Sequence, residues 1–113
     1  MVPGAIIFYK NYFIDFYKEQ NDKVKKNINK SLEYVKTVEI IPEDIFKHIE
    51  NSNGLYEVRV KQSTNIYRIF CCFDKGNIVV LFNAFQKKTQ KTPKEEIERA
   101  EKLKNEYFNE KTK

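Results

Sequence analysis

Cysteine and histidine are scarce, with two cysteines and one histidine in 113 residues. The cysteines, Cys71 and Cys72, are adjacent within an apolar run. Successive side chains of a strand point to opposite faces, so this pair is not placed to form a bridge. A structural metal site needs further Cys or His at ligand spacing, and His48 stands alone and distant. The sequence therefore predicts no metal, no other cofactor and a reducing compartment. Long apolar runs are also missing. Ala5-Ile6-Ile7-Phe8-Tyr9 is too short, and too soon followed by Lys10 and Asp15, to serve as a secretory signal or membrane span. That predicts a cytoplasmic protein with no membrane partner. Internal repeats and low-complexity segments are absent.

What is present suits a single domain over residues 1–113. Hydrophobic residues make up 41% and aromatic residues 14%, enough to build a core and more bulky rings than a disordered chain carries. Twenty-one Lys and Arg against sixteen Asp and Glu leave a net charge of +5. A basic surplus favours a polyanionic partner, nucleic acid first, although a charge of this size also serves plain solubility.

The periodicities predict an α+β fold. Ala5 to Tyr9 reads as a strand buried in a sheet. Phe13, Phe16 and Tyr17 recur at helical spacing, and Val24, Ile28, Leu32 and Val35 form a second stripe, so the two segments read as a helical hairpin with Asn21 or Asp22 at the junction. Val38 to Ile41 is apolar. Pro42, Glu43 and Asp44 then suit the start of a short helix through Ile49, stopped by Asn51-Ser52-Asn53-Gly54. Three strands follow, Leu55 to Lys61, Ile66 to Phe73 and Ile78 to Phe85, joined through Gln62 to Asn65 and through Asp74-Lys75-Gly76-Asn77 as an antiparallel meander. Thr92-Pro93-Lys94-Glu95 forms a capping box for a last helix with Ile97, Ala100, Leu103 and Tyr107 on one face and a lysine-rich end that frays. The expected architecture is an antiparallel sheet of about four strands, an amino-terminal helical hairpin and a carboxy-terminal helix.

Within the meander, alternation puts Tyr56, Val58 and Val60 on one side and Glu57, Arg59 and Lys61 on the other. In the next strand Arg68 interrupts an apolar series made of Ile66, Phe70 and Cys72. A buried charge needs an opposite partner, because an isolated ion in the interior is very costly. A salt bridge to Glu57 would supply one; a cationic patch of Arg59, Lys61 and Arg68 open to an external anion is the alternative, and the two are compatible. Gln86 to Lys91 adds three lysines after the last strand, either as a phosphate-binding loop or as a solvated connector.

The order Gly54-Leu55-Tyr56-Glu57-Val58-Arg59-Val60, Ile66-Tyr67-Arg68-Ile69-Phe70, Phe85-Gln86-Lys87-Lys88-Thr89-Gln90-Lys91-Thr92-Pro93 and Glu96-Ile97-Glu98-Arg99-Ala100 resembles the phage-derived, HigB-like branch of the RelE superfamily. The resemblance runs from Pro42 to about Leu103. It implies the toxin of a type II toxin-antitoxin system: a ribosome-dependent endoribonuclease that cuts messenger RNA and is held inactive by a cognate antitoxin, expected to be of helix-turn-helix type. Its chemistry would be attack of a ribose 2′-hydroxyl on the adjacent phosphorus, which needs a base, charge stabilisation and an acid. By the same resemblance Arg59, Lys61 and Arg68 surround the scissile phosphate, with Arg68 stabilising the phosphorane and Lys61 as base or electrostatic helper. Lys87 and Lys88 fill the basic position after the last strand. Glu57, Thr89, Gln90, Lys91 and Lys94 are the substrate-binding candidates, Glu57 alternatively acting as base or neutralising Arg59. Some relatives carry a tyrosine or histidine after the last strand; Lys87 to Glu95 contain neither, so acid and base stay unassigned. His48 reads as a surface residue of the short helix. A ParE-like gyrase poison on the same fold and a non-catalytic module binding RNA or protein remain the alternatives.

Overall fold

The structure, a computed structural model, describes residues 5–37, 40–76, 78–88 and 93–111. The elements are β1 (Ala5–Phe8), α1 (Tyr12–Lys18), α2 (Asp22–Thr37), β2 (Phe46–His48), β3 (Tyr56–Gln62), β4 (Asn65–Asp74), β5 (Ile78–Lys87) and α3 (Lys94–Lys111). The five strands form one sheet in the order β1-β5-β4-β3-β2. Strand β1 pairs parallel with β5 and every other pairing is antiparallel.

The expected helical hairpin is present. Asn21 starts its second helix by accepting a hydrogen bond through Oδ1 from the Val24 amide at 2.9 Å, which satisfies one of the free donors of a helix start. Val24, Ile28 and Val35 pack with Val58, Val60, Tyr67, Ile69, Cys71, Val79 and Leu81 on one face of the sheet. On the other face α3 lays Ala100 and Leu103 against Leu55, Phe70, Cys72, Val80 and Phe82, with Ile97 and Tyr107 beside them, the four helical positions expected from the sequence. The two cysteines are free, buried and divided between the faces. Burial raises the pKa of both thiols, that of Cys72 to about 11.

Three expectations are corrected. The sheet has five strands rather than about four, and it is mixed, because β1 lies parallel to β5. β1 is an edge strand and not a buried one: Ile7 is 38% and Phe8 47% exposed, as no further described strand or helix covers that edge. The short helix expected from Pro42 to Ile49 does not form. One turn closes there, the amides of Ile45 and Phe46 both donating to the Pro42 carbonyl at 3.0 Å, and the chain then extends as β2. Two contacts favour the strand: the Arg59 amide donates to the Ile45 carbonyl at 2.8 Å, and the Phe46 ring stacks on Tyr56 at 5.0 Å. Paired backbone and stacked rings outweigh a helix start only one turn long.

The turn Asn51-Ser52-Asn53-Gly54 reverses the chain between β2 and β3, with Gly54 at φ 82°, a conformation that favours glycine. Asn77 in the last hairpin, Val38 and Glu39 before Pro42, Thr92 of the capping box and residues 112–113 lie outside the described residues.

Candidate nucleic-acid site

Helix α3 covers only part of its face of the sheet. On the rest of that face the charged side chains of β3 and β4 meet. Pairing sets Arg59 directly opposite Arg68, a repulsive arrangement for like charges, and sets Glu57 one alternation away on the same side. Glu57 resolves the repulsion. Its Oε1 accepts a hydrogen bond from Arg68 Nη1 and lies 3.4 Å from Arg59 Nε, so one carboxylate oxygen faces two guanidinium groups. Arg68 and Glu57 are both buried, 3% and 4% exposed, which makes this an interior ion cluster in which charge effects are weakly screened. The salt bridge expected between Arg68 and Glu57 is thus present.

The cluster keeps an unused donor. Arg68 Nε is buried without a hydrogen-bond partner, and Arg59 Nε has only its 3.4 Å ion pair with Glu57. Buried polar groups are nearly always paired, so the unpaired Arg68 Nε calls for an acceptor.

Lys87 joins them through a change of register. Between Ile69/Ala84 and Cys71/Leu81 the β4–β5 pairing slips, with two residues of β5, Phe82 and Asn83, opposite the single residue Phe70. This bulge lets Phe82 and Asn83 both turn toward α3: Phe82 enters the apolar layer, and Asn83 Nδ2 donates to the carbonyl and Oε1 of Glu96 at 3.1 and 3.0 Å. Beyond the bulge the parity is reversed. Strict alternation from Val79 and Leu81 would send Lys87 to the hairpin face, but the bulge returns Phe85 to the α3 face and Lys87 with it. Burial first, then the positive charges of Arg68 and Arg59, lower the Lys87 pKa, against a smaller opposing effect of Glu57.

The resulting pocket, about 240 Å³, is lined by Lys47, His48, Ile49, Glu50, Glu57, Arg59, Arg68 and Lys87. Of the residues proposed from the sequence it gathers Glu57, Arg59, Arg68 and Lys87. Lys61 is exposed and outside the lining, at the end of β3 where its carbonyl accepts from Asn27 Nδ2 at 2.9 Å. Lys88 is exposed just past β5, and Lys94 is exposed on α3 with Nζ 3.9 Å from Glu98. Thr89, Gln90 and Lys91 lie outside the described residues. The pocket also contains a residue that the sequence pattern did not single out, Lys47, and brings in His48, which that pattern places on a helix. Both depend on β2: its three residues pair Lys47 with Glu57 and His48 with Tyr56, and the His48 ring packs edge-on to Tyr56 at 5.2 Å. The alternation Phe46, Lys47, His48 was the one signal available, and three residues are too few to establish a period.

Chemically the pocket is a set of fixed guanidinium donors and ammonium groups around an open space. That suits an anion with several acceptor oxygens, such as a phosphate or a carboxylate, better than a neutral ligand.

The family described as phage derived protein Gp49-like matches residues 15–105. No curated protein matches the chain. Among solved structures, the archaeal RelE-RelB complex from Pyrococcus horikoshii OT3 is similar with a TM-score of 0.53 at 10% identity, over 74% of this chain and 93% of that one. The RelB-RelE antitoxin-toxin complex from Methanococcus jannaschii gives a TM-score of 0.53 at 17% identity, over 77% of this chain and 99% of that one.

Proposed function

Because the chain belongs to the phage-derived Gp49-like family, we propose that it is the toxin of a type II toxin-antitoxin system, of the HigB-like branch, and that it cleaves messenger RNA on the ribosome. One observation carries the reading: Arg59, Arg68 and Lys87 line one pocket together with Glu57. In the attack of a ribose 2′-hydroxyl on phosphorus, negative charge grows on the non-bridging oxygens. Donors already fixed in place stabilise that charge without reorganisation. Arg68, oriented by Glu57, is the main stabiliser and Arg59 the second. Lys87, with its lowered pKa, is the nearest group suited to exchanging a proton with the attacking or leaving oxygen. Glu57 orients the guanidinium groups through its Oε1. The similar archaeal proteins were solved with their RelB partners, which supports a cognate antitoxin, and ribosome and messenger RNA as further partners in the cytoplasm follow from the same reading. No described helix is long and apolar enough to cross a membrane.

The engagement of Glu57 favours one other reading, a non-catalytic RNA clamp. Induced expression without an antitoxin separates them. The toxin reading predicts growth arrest with new 5′ ends inside translated messages; arrest with intact messages would favour the clamp.

A further inference from the structure

The edge strand β2 adds something that neither the resemblance nor the sequence assigned. Lys47 is the cross-strand neighbour of Glu57, so both side chains lie on the pocket face of the sheet. Glu57 is nevertheless committed elsewhere, to Arg68 and Arg59. The Lys47 side chain makes no ion pair or hydrogen bond with any described residue, although the residue is half-buried in the pocket wall. Among the described residues neither carboxylate of the lining, Glu57 or Glu50, forms an ion pair with Lys47.

Position gives its use. Lys87 lies on β5 and Lys47 on β2, three strand spacings apart, or roughly 14 Å across the sheet. Arg59 and Arg68 stand between them on β3 and β4. The cations therefore form a track running from one side of the pocket to the other, wider than a single phosphate group. We propose that Lys47 binds a second backbone phosphate of a single-stranded RNA whose first phosphate sits at Arg59, Arg68 and Lys87. The strand then crosses the sheet from β5 toward β2. Lys47 is a binding residue in this arrangement, anchoring the neighbouring nucleotide while the arginines hold the reacting phosphate. The inference rests on the proposed RNA-cleaving function and names the extent of its substrate site.

Counterion release makes the idea measurable, because a protein that neutralises one phosphate fewer has a slope of log affinity against log salt that is shallower by about 0.7 for a single strand. The experiment uses the full chain and a short RNA made uncleavable by 2′-O-methyl groups, with binding followed by fluorescence anisotropy across a salt series. Lys47→Met keeps the apolar stem, and circular dichroism and urea unfolding check that the fold is kept. The expected result is a slope shallower by about 0.7 in Lys47→Met than in the unsubstituted protein. An unchanged slope overturns the proposal, as does no binding by the unsubstituted protein. If the unsubstituted chain binds the RNA with the expected slope difference yet cuts no message on the ribosome, the second phosphate site stands and the proposed activity fails.

Discussion

At the scale of single residues the decisive one is Arg68. It was legible in the sequence because strand alternation places it among Ile66, Phe70 and Cys72, where an unpaired charge is not tolerated, and the same alternation placed Glu57 and Arg59 on its side of the neighbouring strand. Lys87 was legible only as a basic residue near the end of a strand. Its direction depends on the bulge at Phe82 and Asn83, which no period in the sequence announces. Glu57 holds the cluster together, and its replacement tests the ion arrangement separately from catalysis. Glu57→Gln keeps the shape but leaves the buried Arg68 guanidinium and the partly exposed Arg59 guanidinium without a compensating charge. A loss of about 3 kcal/mol in urea unfolding is expected. Inorganic phosphate should raise the melting temperature of this variant more than that of the unsubstituted protein, because the anion replaces the missing charge; equal shifts would show that the guanidinium groups do not face an accessible anion site.

At the scale of elements, the strands of the meander and the helices α1, α2 and α3 were readable because each carries several turns or alternations of pattern, whereas β2 was not. Pro42-Glu43-Asp44 carries every local mark of a helix start, and it does make one turn. The extension that follows is dictated by contacts with β3 distant in sequence, above all Phe46 stacked on Tyr56. Tertiary pairing of this kind overrides short local preferences. The last helix is fixed at its far end by Asp74, which accepts hydrogen bonds through Oδ2 from Tyr107 Oη at 2.7 Å and from Lys111 Nζ. Those two donors, that from Lys111 first, hold the Asp74 carboxyl below its ordinary value of 3.8. A carboxylate with a lowered folded-state pKa contributes stability that is present above the unfolded value and is lost as pH falls through the folded one. Asp74→Asn should therefore be less stable than the unsubstituted protein near neutrality, and the difference should narrow below pH 3.8. Urea midpoints measured over pH check this. A constant difference across the acid range would assign Asp74 a purely neutral hydrogen-bonding role.

At the scale of the whole molecule, the helical hairpin seals one face of the sheet while α3 seals only part of the other, and the charged site occupies the part left open. The α+β class and the order of most elements could be read from the chain, since they follow from periodic apolar positions. The fifth strand and the parallel pairing of β1 could not, because they depend on which edges remain free once the meander has formed. The open half-face places four cations, Lys47, Arg59, Arg68 and Lys87, around one pocket against two carboxylates, Glu50 and Glu57. That excess of positive charge is the physical basis of the proposed RNA phosphate site. The most direct measurement is cleavage of a defined message on programmed ribosomes by the purified chain, compared with Arg68→Ala at matched, circular-dichroism-verified fold. The account predicts cleavage by the unsubstituted protein and a loss of about 100-fold or more in the variant, the size expected when a fixed donor to a developing oxyanion is removed. Equal rates for the two proteins, or no cleavage by either, would contradict it.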